Sequence, residues 1–243
     1  MPATTSNWFR WQPTRDTALA VAAGLVVIGL SAAMVAARDL EWLSIVLRDE
    51  AMILGVGILL PLAYIRRSGA RPADFGLSLQ RWPLLLPINL GLAGLLMLAF
   101  LKGSPPPDDF RVDAAFGWKA AFVLEALVFE LVFFYAFMRT LLEQAFGILP
   151  AIVLTALFYS FHHVGFEPEF GKLFLVGLLY AGVYRLGRSA LVIFPFFLGV
   201  GGIYDVLVQG HNVAAIPCPE VRSLVLAAGI IVIAILTSHR SSR

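Results

Sequence analysis

The sequence predicts an all-α fold, a polytopic membrane helical bundle of about eight transmembrane helices. Three observations carry that expectation. Mean hydropathy is +0.83. Charged residues make up only 14% of the chain, against about 25% in soluble domains, while hydrophobic residues reach 59%. The apolar residues also fall in long blocks rather than along one helical stripe, as membrane spans do. Barrel strands are short and alternate apolar with polar, so a β-barrel does not fit.

The expected spans are Thr17–Ala37, Ala51–Ile65, Trp82–Leu101, Ala120–Arg139, Ile148–His163, Leu173–Arg185, Ser189–Val206 and Leu224–Thr237. The first follows Arg10 and Arg15 and is too long for the apolar core of a signal peptide, so it reads as a retained span. Asp39–Arg48 reads as an interfacial segment. Gly103–Lys119 contains Pro105-Pro106-Pro107 and Asp108-Asp109 and reads as an exposed loop. Residues 1–16 are then a cytoplasmic N-terminal segment, 17–237 a single transmembrane bundle with its catalytic core at about 120–206, and 238–243 a C-terminal tail.

With the N-terminus inside, most lysines and arginines fall in the inner segments, led by the cluster Arg66, Arg67, Arg71 and Arg81. The acids Asp39, Glu41, Asp108, Asp109, Glu167 and Glu169 fall outside. Both termini are then cytoplasmic, in what is expected to be the bacterial inner (cytoplasmic) membrane. The net charge of +2 is spread among loops, so no nucleic-acid partner is expected. The single cysteine, Cys218, excludes an internal disulfide framework and a Cys-rich metal site.

Membrane burial does not explain a few polar residues. Glu130 lies inside an apolar run, where an ionised carboxylate costs roughly 2.5–3.5 kcal/mol to insert, so function is the default reading. Arg139 is about 13–14 Å further along the same helix and on the opposite face, and Glu125 is about 140° around it, so neither partners Glu130 locally. The plain alternative is a neutral acid in one interhelical hydrogen bond. His162 and His163 end the fifth span. Adjacent helical residues point about 100° apart, so only one is expected to face Glu130 while the other meets the interface. Asp205, after Gly199-Val200-Gly201-Gly202, lies near the outer end of the seventh span, either in a pocket or in a loop beyond the membrane.

Such a carboxylate can take a proton from water, and an imidazole can hold that water or the oxyanion formed on attack at a carbonyl. That suffices for peptide hydrolysis without a covalent intermediate. No metal and no other cofactor is expected. There is no HExxH motif, His211 and His239 fall outside the bundle core, and catalytic zinc wants three close protein ligands. Ser160 beside the His pair makes no serine triad by spacing.

At these residues the chain resembles the CAAX protease and bacteriocin-processing (CPBP) family of glutamic intramembrane proteases, as a divergent member. The likeness covers roughly Phe122–Asp205, and Arg71-Pro72-Ala73-Asp74-Phe75-Gly76-Leu77 is similar to the segment that precedes the family's core spans. In place of the motif Glu-Glu-x-x-x-Arg stands Glu130-Leu131-Val132-Phe133-Phe134-Tyr135, followed by Phe146-Gly147. The resemblance implies Glu130 as the water-activating base, with Tyr135 where the family has Arg. The motif Phe-x-x-x-His fits Phe158 with His162 or Tyr159 with His163. In place of His-x-x-x-Asn/Asp stands Gly201-Gly202-Ile203-Tyr204-Asp205, with Gly201 where the second His would be. Either Tyr204 or the other of the His pair replaces it, or the enzyme is inactive.

The resemblance thus implies an intramembrane endopeptidase acting on a membrane-anchored protein or peptide, with its pocket open to the extracytoplasmic side. Members that sort surface proteins, the JDVT-CTERM type, are the nearest kind. Two alternatives stand beside it: a proton-coupled transporter using Glu130 and the histidines as a relay, and an inactive family member serving as a membrane binding or assembly factor.

Overall fold

The computed structural model describes residues 7–108, 110–164, 170–210 and 216–238. His211, His239, Asp109, Glu167, Glu169 and the tail beyond Ser238 lie outside the described residues. Among the described residues the chain is helical, with no strand.

Helix α1 is Arg15–Ala36, opened by a reciprocal cap in which the Thr14 and Thr17 side chains each accept the other's backbone N–H. A long helical run over 41–68, α2, comprises Glu41–Ile45, Val46–Leu59 and Leu60–Ser68. Its middle stretch carries i→i+5 bonding, and it stops at Gly69, whose φ of 67° provides the left-handed C-terminal cap. The segment Glu41–Leu59 is therefore continuous helix, joining most of Asp39–Arg48 to the expected span Ala51–Ile65. Helix α3 is Trp82–Gly103. Helix α4, Ala114–Phe146, is capped by the Asp113 side chain, which accepts from the Phe116 N–H at 2.8 Å. Then follow α5 (Ile148–His162), α6 (Phe170–Gly187), α7 (Phe196–Val208) and α8 (Pro219–Ser238).

Five of these, α1, α3, α4, α6 and α8, are long and apolar enough to cross a membrane by length and composition. The other three expected spans fall on α2, whose winding changes along its length, and on the shorter apolar helices α5 and α7.

Helix α4 is the axis of the bundle. In its most apolar window 72% of residues are buried, against 17–33% in the other four long helices. Leu131–Met138 are all buried, and Phe133, Phe134, Tyr135, Phe137 and Met138 are fully so. That stretch begins directly after Glu130 and is wound with i→i+5 bonds, a geometry that recurs where helices carry function. Around α4, α5 packs along α6, α8 along the first half of α4, α3 along α7, and α1 along α2. The outer helices turn large apolar side chains outward, such as Leu95 and Leu175 at 67% and 66% exposure, which suits contact with lipid tails.

Each end of the bundle carries an arginine–carboxylate cluster. At one end Arg139 and Arg185 converge on Glu143; Arg185 Nε is 2.7 Å from Glu143 Oε1, and Arg139 bonds Glu143 Oε2. Arg139 is thus committed away from Glu130. At the other end Arg222 grips Asp49 through two bonds of 2.7 Å. Near that end Ser223 donates to Glu125 at 2.9 Å, so Glu125 faces α8 and Glu130 does not share its setting.

Candidate functional site

Glu130 occupies the last position of α4 before its winding widens, and the residue is 8% exposed. It faces the end of α5. His163 Nε2 lies 3.7 Å from Glu130 Oε1. That is too long for a direct hydrogen bond, and it leaves both atoms within about 2.8 Å of one shared water. The Tyr159 side chain, one turn earlier on α5, is within hydrogen-bonding reach of the same carboxyl.

Both histidines belong to the site. His162 and His163 are 4% and 6% exposed, with ring centroids 4.0 Å apart. The expectation that one ring would turn to the interface is corrected. The two side chains leave the helix in different directions, but their rings converge. His163 folds back along its own helix, Nδ1 2.8 Å from the Tyr159 carbonyl oxygen. His162 is held from α1, Nδ1 3.1 Å from Ser31 Oγ.

Hydrogen-bond roles follow from these contacts. A carbonyl oxygen only accepts, so His163 Nδ1 donates to Tyr159. Ser31 Oγ has three acceptors in reach, the Val27 carbonyl at 3.0 Å, Met52 Sδ at 3.3 Å and His162 Nδ1; with its proton on the carbonyl, its lone pair accepts from His162 Nδ1. With that assignment for His162, Nε2 of each neutral ring is an acceptor. A carboxylate is also an acceptor, so a group bridging these side chains would supply positive charge or protons. A water does so, and so does a metal ion.

Glu130, His162 and His163 each bring one donor atom within 4.8 Å of the others. Two imidazoles and a carboxylate are a donor set found at catalytic zinc, and each ring already has the second hydrogen bond that orients a ligating histidine. Some closure is needed, since tetrahedral ligands about 2.0–2.2 Å from zinc stand roughly 3.3 Å apart. Adjacent residues at a helix end thus meet a third donor from α4, a grouping that spacing along the sequence does not reveal.

The remaining sequence candidates divide. Asp205 lines the same cavity and pairs with Lys172 Nζ at 2.7 Å. Tyr135 packs between Tyr159, Tyr180 and Tyr184, ring centroids 6.0–6.4 Å away, and its buried hydroxyl has no hydrogen-bond partner among the described residues. Tyr204 as a stand-in for the missing histidine is corrected: its hydroxyl donates to the Ser104 carbonyl at 2.7 Å and its ring stacks on Phe100. Gly201 has a different neighbour. A Cβ there would lie 2.2 Å from Tyr180 Oη, so the tyrosine from α6 fills the space beside that position.

Tyr180, Ser31 and Lys172 were not singled out in the sequence. Ser31 alone offered a cue, as a hydroxyl inside an apolar span. Tyr180 lines the cavity and donates only a long bond, 3.4 Å, to the Phe197 carbonyl, which leaves its proton available to a stronger acceptor.

These side chains line a cavity of about 160 Å³ within the bundle. Glu130, Tyr159, His162 and His163 lie on its wall, Lys172 and Asp205 do as well, and Phe100, Val123, Leu127 and Leu198 make much of the rest apolar. No family model, curated protein or solved structure matches the chain.

Proposed function

We propose that this protein is an intramembrane endopeptidase that hydrolyses a peptide bond of a membrane-anchored protein or peptide with a water activated by Glu130. One observation supports the reading above all: a buried carboxyl and two oriented imidazoles meet on the wall of an apolar cavity inside a helical bundle.

The chemistry divides among the residues by donor and acceptor. Glu130 takes a proton from water as the water oxygen attacks the scissile carbonyl. His163 Nε2, an acceptor, orients that water through its other proton. The oxyanion needs a donor, which neutral rings with Nε2 lone pairs do not supply. The hydroxyl of Tyr180, whose proton is held only by a long bond, fills that role. Protonated Glu130 then gives its proton to the leaving amine, and the carboxylate is regenerated. Apolar walls keep other water from the site.

The resemblance in layout to CPBP glutamic proteases favours the same reading, and on it the chain has eight spans. The positive-inside rule then puts the end holding Arg48, Lys172 and Asp205 outward, so the cavity opens extracytoplasmically. A metal-assisted form of the same hydrolysis has one observation in its favour, the three donors within 4.8 Å. Glu130, His162 and His163 would hold the ion, which would activate the water in place of the general base.

Termini profiling of membrane fractions tests the proposal. Cells carrying the wild-type chain should contain new protein termini that are missing with Glu130→Gln at equal expression. Identical termini in both, together with proton flux in proteoliposomes, would replace the peptidase by the transporter.

A further inference from the structure

The cavity wall carries two cations among the described residues, Lys172 and Arg48. They are not balanced alike. Lys172 has Asp205 at 2.7 Å. Arg48 has only a share of Asp49, its Nε 3.2 Å from Oδ1. Both oxygens of that carboxylate are already held by Arg222, each at 2.7 Å.

Two guanidinium groups thus face one carboxylate. Both also rest on the Phe122 ring, at 5.2 Å for Arg48 and 4.4 Å for Arg222. No other carboxylate among the described residues pairs with either. The cluster keeps one positive charge in excess, on a side chain only 11% exposed. An uncompensated charge in such a place is costly, and a bound anion offsets that cost. The guanidinium fork matches the two oxygens of a carboxylate better than an ammonium would. The cavity that Arg48 and Glu130 share is walled mostly by apolar side chains, which suits an aliphatic or peptide stretch.

We propose that Arg48 is a specificity residue that binds a carboxylate of the substrate peptide, a C-terminus or an Asp or Glu side chain, inside the cavity that holds Glu130. That the carboxylate belongs to a peptide rests on the peptidase reading; that the site takes an organic anion does not.

The test uses the full chain in detergent and follows thermal unfolding with three probes of one tail length. N-lauroylglycine carries the carboxylate, N-lauroylglycinamide lacks the charge, and dodecyl phosphate imitates a lipid headgroup. N-lauroylglycine should half-saturate the stabilisation at a concentration at least tenfold below its amide. Arg48→Met should abolish that preference and Arg48→Lys should keep part of it. The comparison of probes on the wild-type chain needs no variant to fold. Equal effects of acid and amide would overturn the assignment, and so would dodecyl phosphate acting tenfold below N-lauroylglycine, which would make this a lipid-phosphate site. A chain with the preference but no cleavage products keeps this site and loses the peptidase; one that cleaves without the preference does the reverse.

Discussion

His163 Nε2 stands 3.7 Å from Glu130 Oε1 while Nδ1 of the same ring lies 2.8 Å from the Tyr159 carbonyl oxygen. The second contact fixes what the first can do. With its Nδ1 proton committed to a carbonyl, the ring offers a lone pair to the space beside Glu130. Tyr159 sets the tautomer through its backbone and approaches the carboxyl through its side chain. One turn of α5 therefore supplies the water acceptor, its orientation and a hydroxyl donor.

Glu130→Gln removes the proton acceptor and keeps the side-chain volume. Cleavage should fall about 10²–10⁴-fold, the usual contribution of general acid–base catalysis. The unfolding midpoint should hold or rise, because a neutral amide is easier to bury. Rates of cleavage and unfolding curves in detergent check both halves, and a retained rate would remove Glu130 from the chemistry.

Ser31→Ala takes away the acceptor of His162 Nδ1. A buried donor left without a partner costs about 1–3 kcal/mol, so stability should drop by that order and turnover should fall several-fold. Ser31→Thr, which restores a hydroxyl, should recover most of both. If Ser31→Ala changes neither the melting curve nor the rate, the ring is held by something else.

Gly201→Ala sets a methyl 2.2 Å from Tyr180 Oη, while the next ring atom is 3.4 Å away. The clash is with the hydroxyl, so the single substitution should destabilise by about 1–3 kcal/mol, as overpacking does. Adding Tyr180→Phe should restore stability without restoring cleavage. A double variant as unstable as the single one would show that the collision lies elsewhere.

Turnover by a Glu130-activated water should survive incubation with 1,10-phenanthroline or EDTA. Loss of activity with rescue by zinc would select the metal-assisted form. Metal analysis of the purified chain separates the two without an activity assay: the general-base form predicts far less than one zinc per chain.

Asp49→Asn breaks a two-bond ion pair with Arg222, both side chains being about 95% buried. Removing one partner of such a pair costs about 3–5 kcal/mol, and here both Arg222 and Arg48 would stay buried without their carboxylate. Chemical denaturation should register that loss. A change below about 1 kcal/mol would mean that water reaches the pair.

Helical class and the main apolar runs were legible because the signal is local: block hydropathy marks Trp82–Gly103 and Pro219–Ser238 without any tertiary knowledge. Glu130 was legible for the same reason, as a charge that its surroundings do not explain. The convergence of His162 with His163 was not, since it depends on χ angles set by a carbonyl one turn back and a hydroxyl on another helix. Tyr180 was hidden because a tyrosine in an apolar span carries no cue until its neighbour is known to be Gly201. The i→i+5 winding after Glu130 also escaped, because nothing in Leu131-Val132-Phe133-Phe134 distinguishes it from ordinary helix.

The hydroxyl that steadies His162 comes from α1, far in the chain from the stretch that holds Glu130 and both histidines. The machinery is therefore not a detachable module. A fragment starting at the proline-rich loop would retain the carboxyl and both rings yet leave one imidazole free to swivel, so shortening this chain from its front end should blunt it before unfolding it.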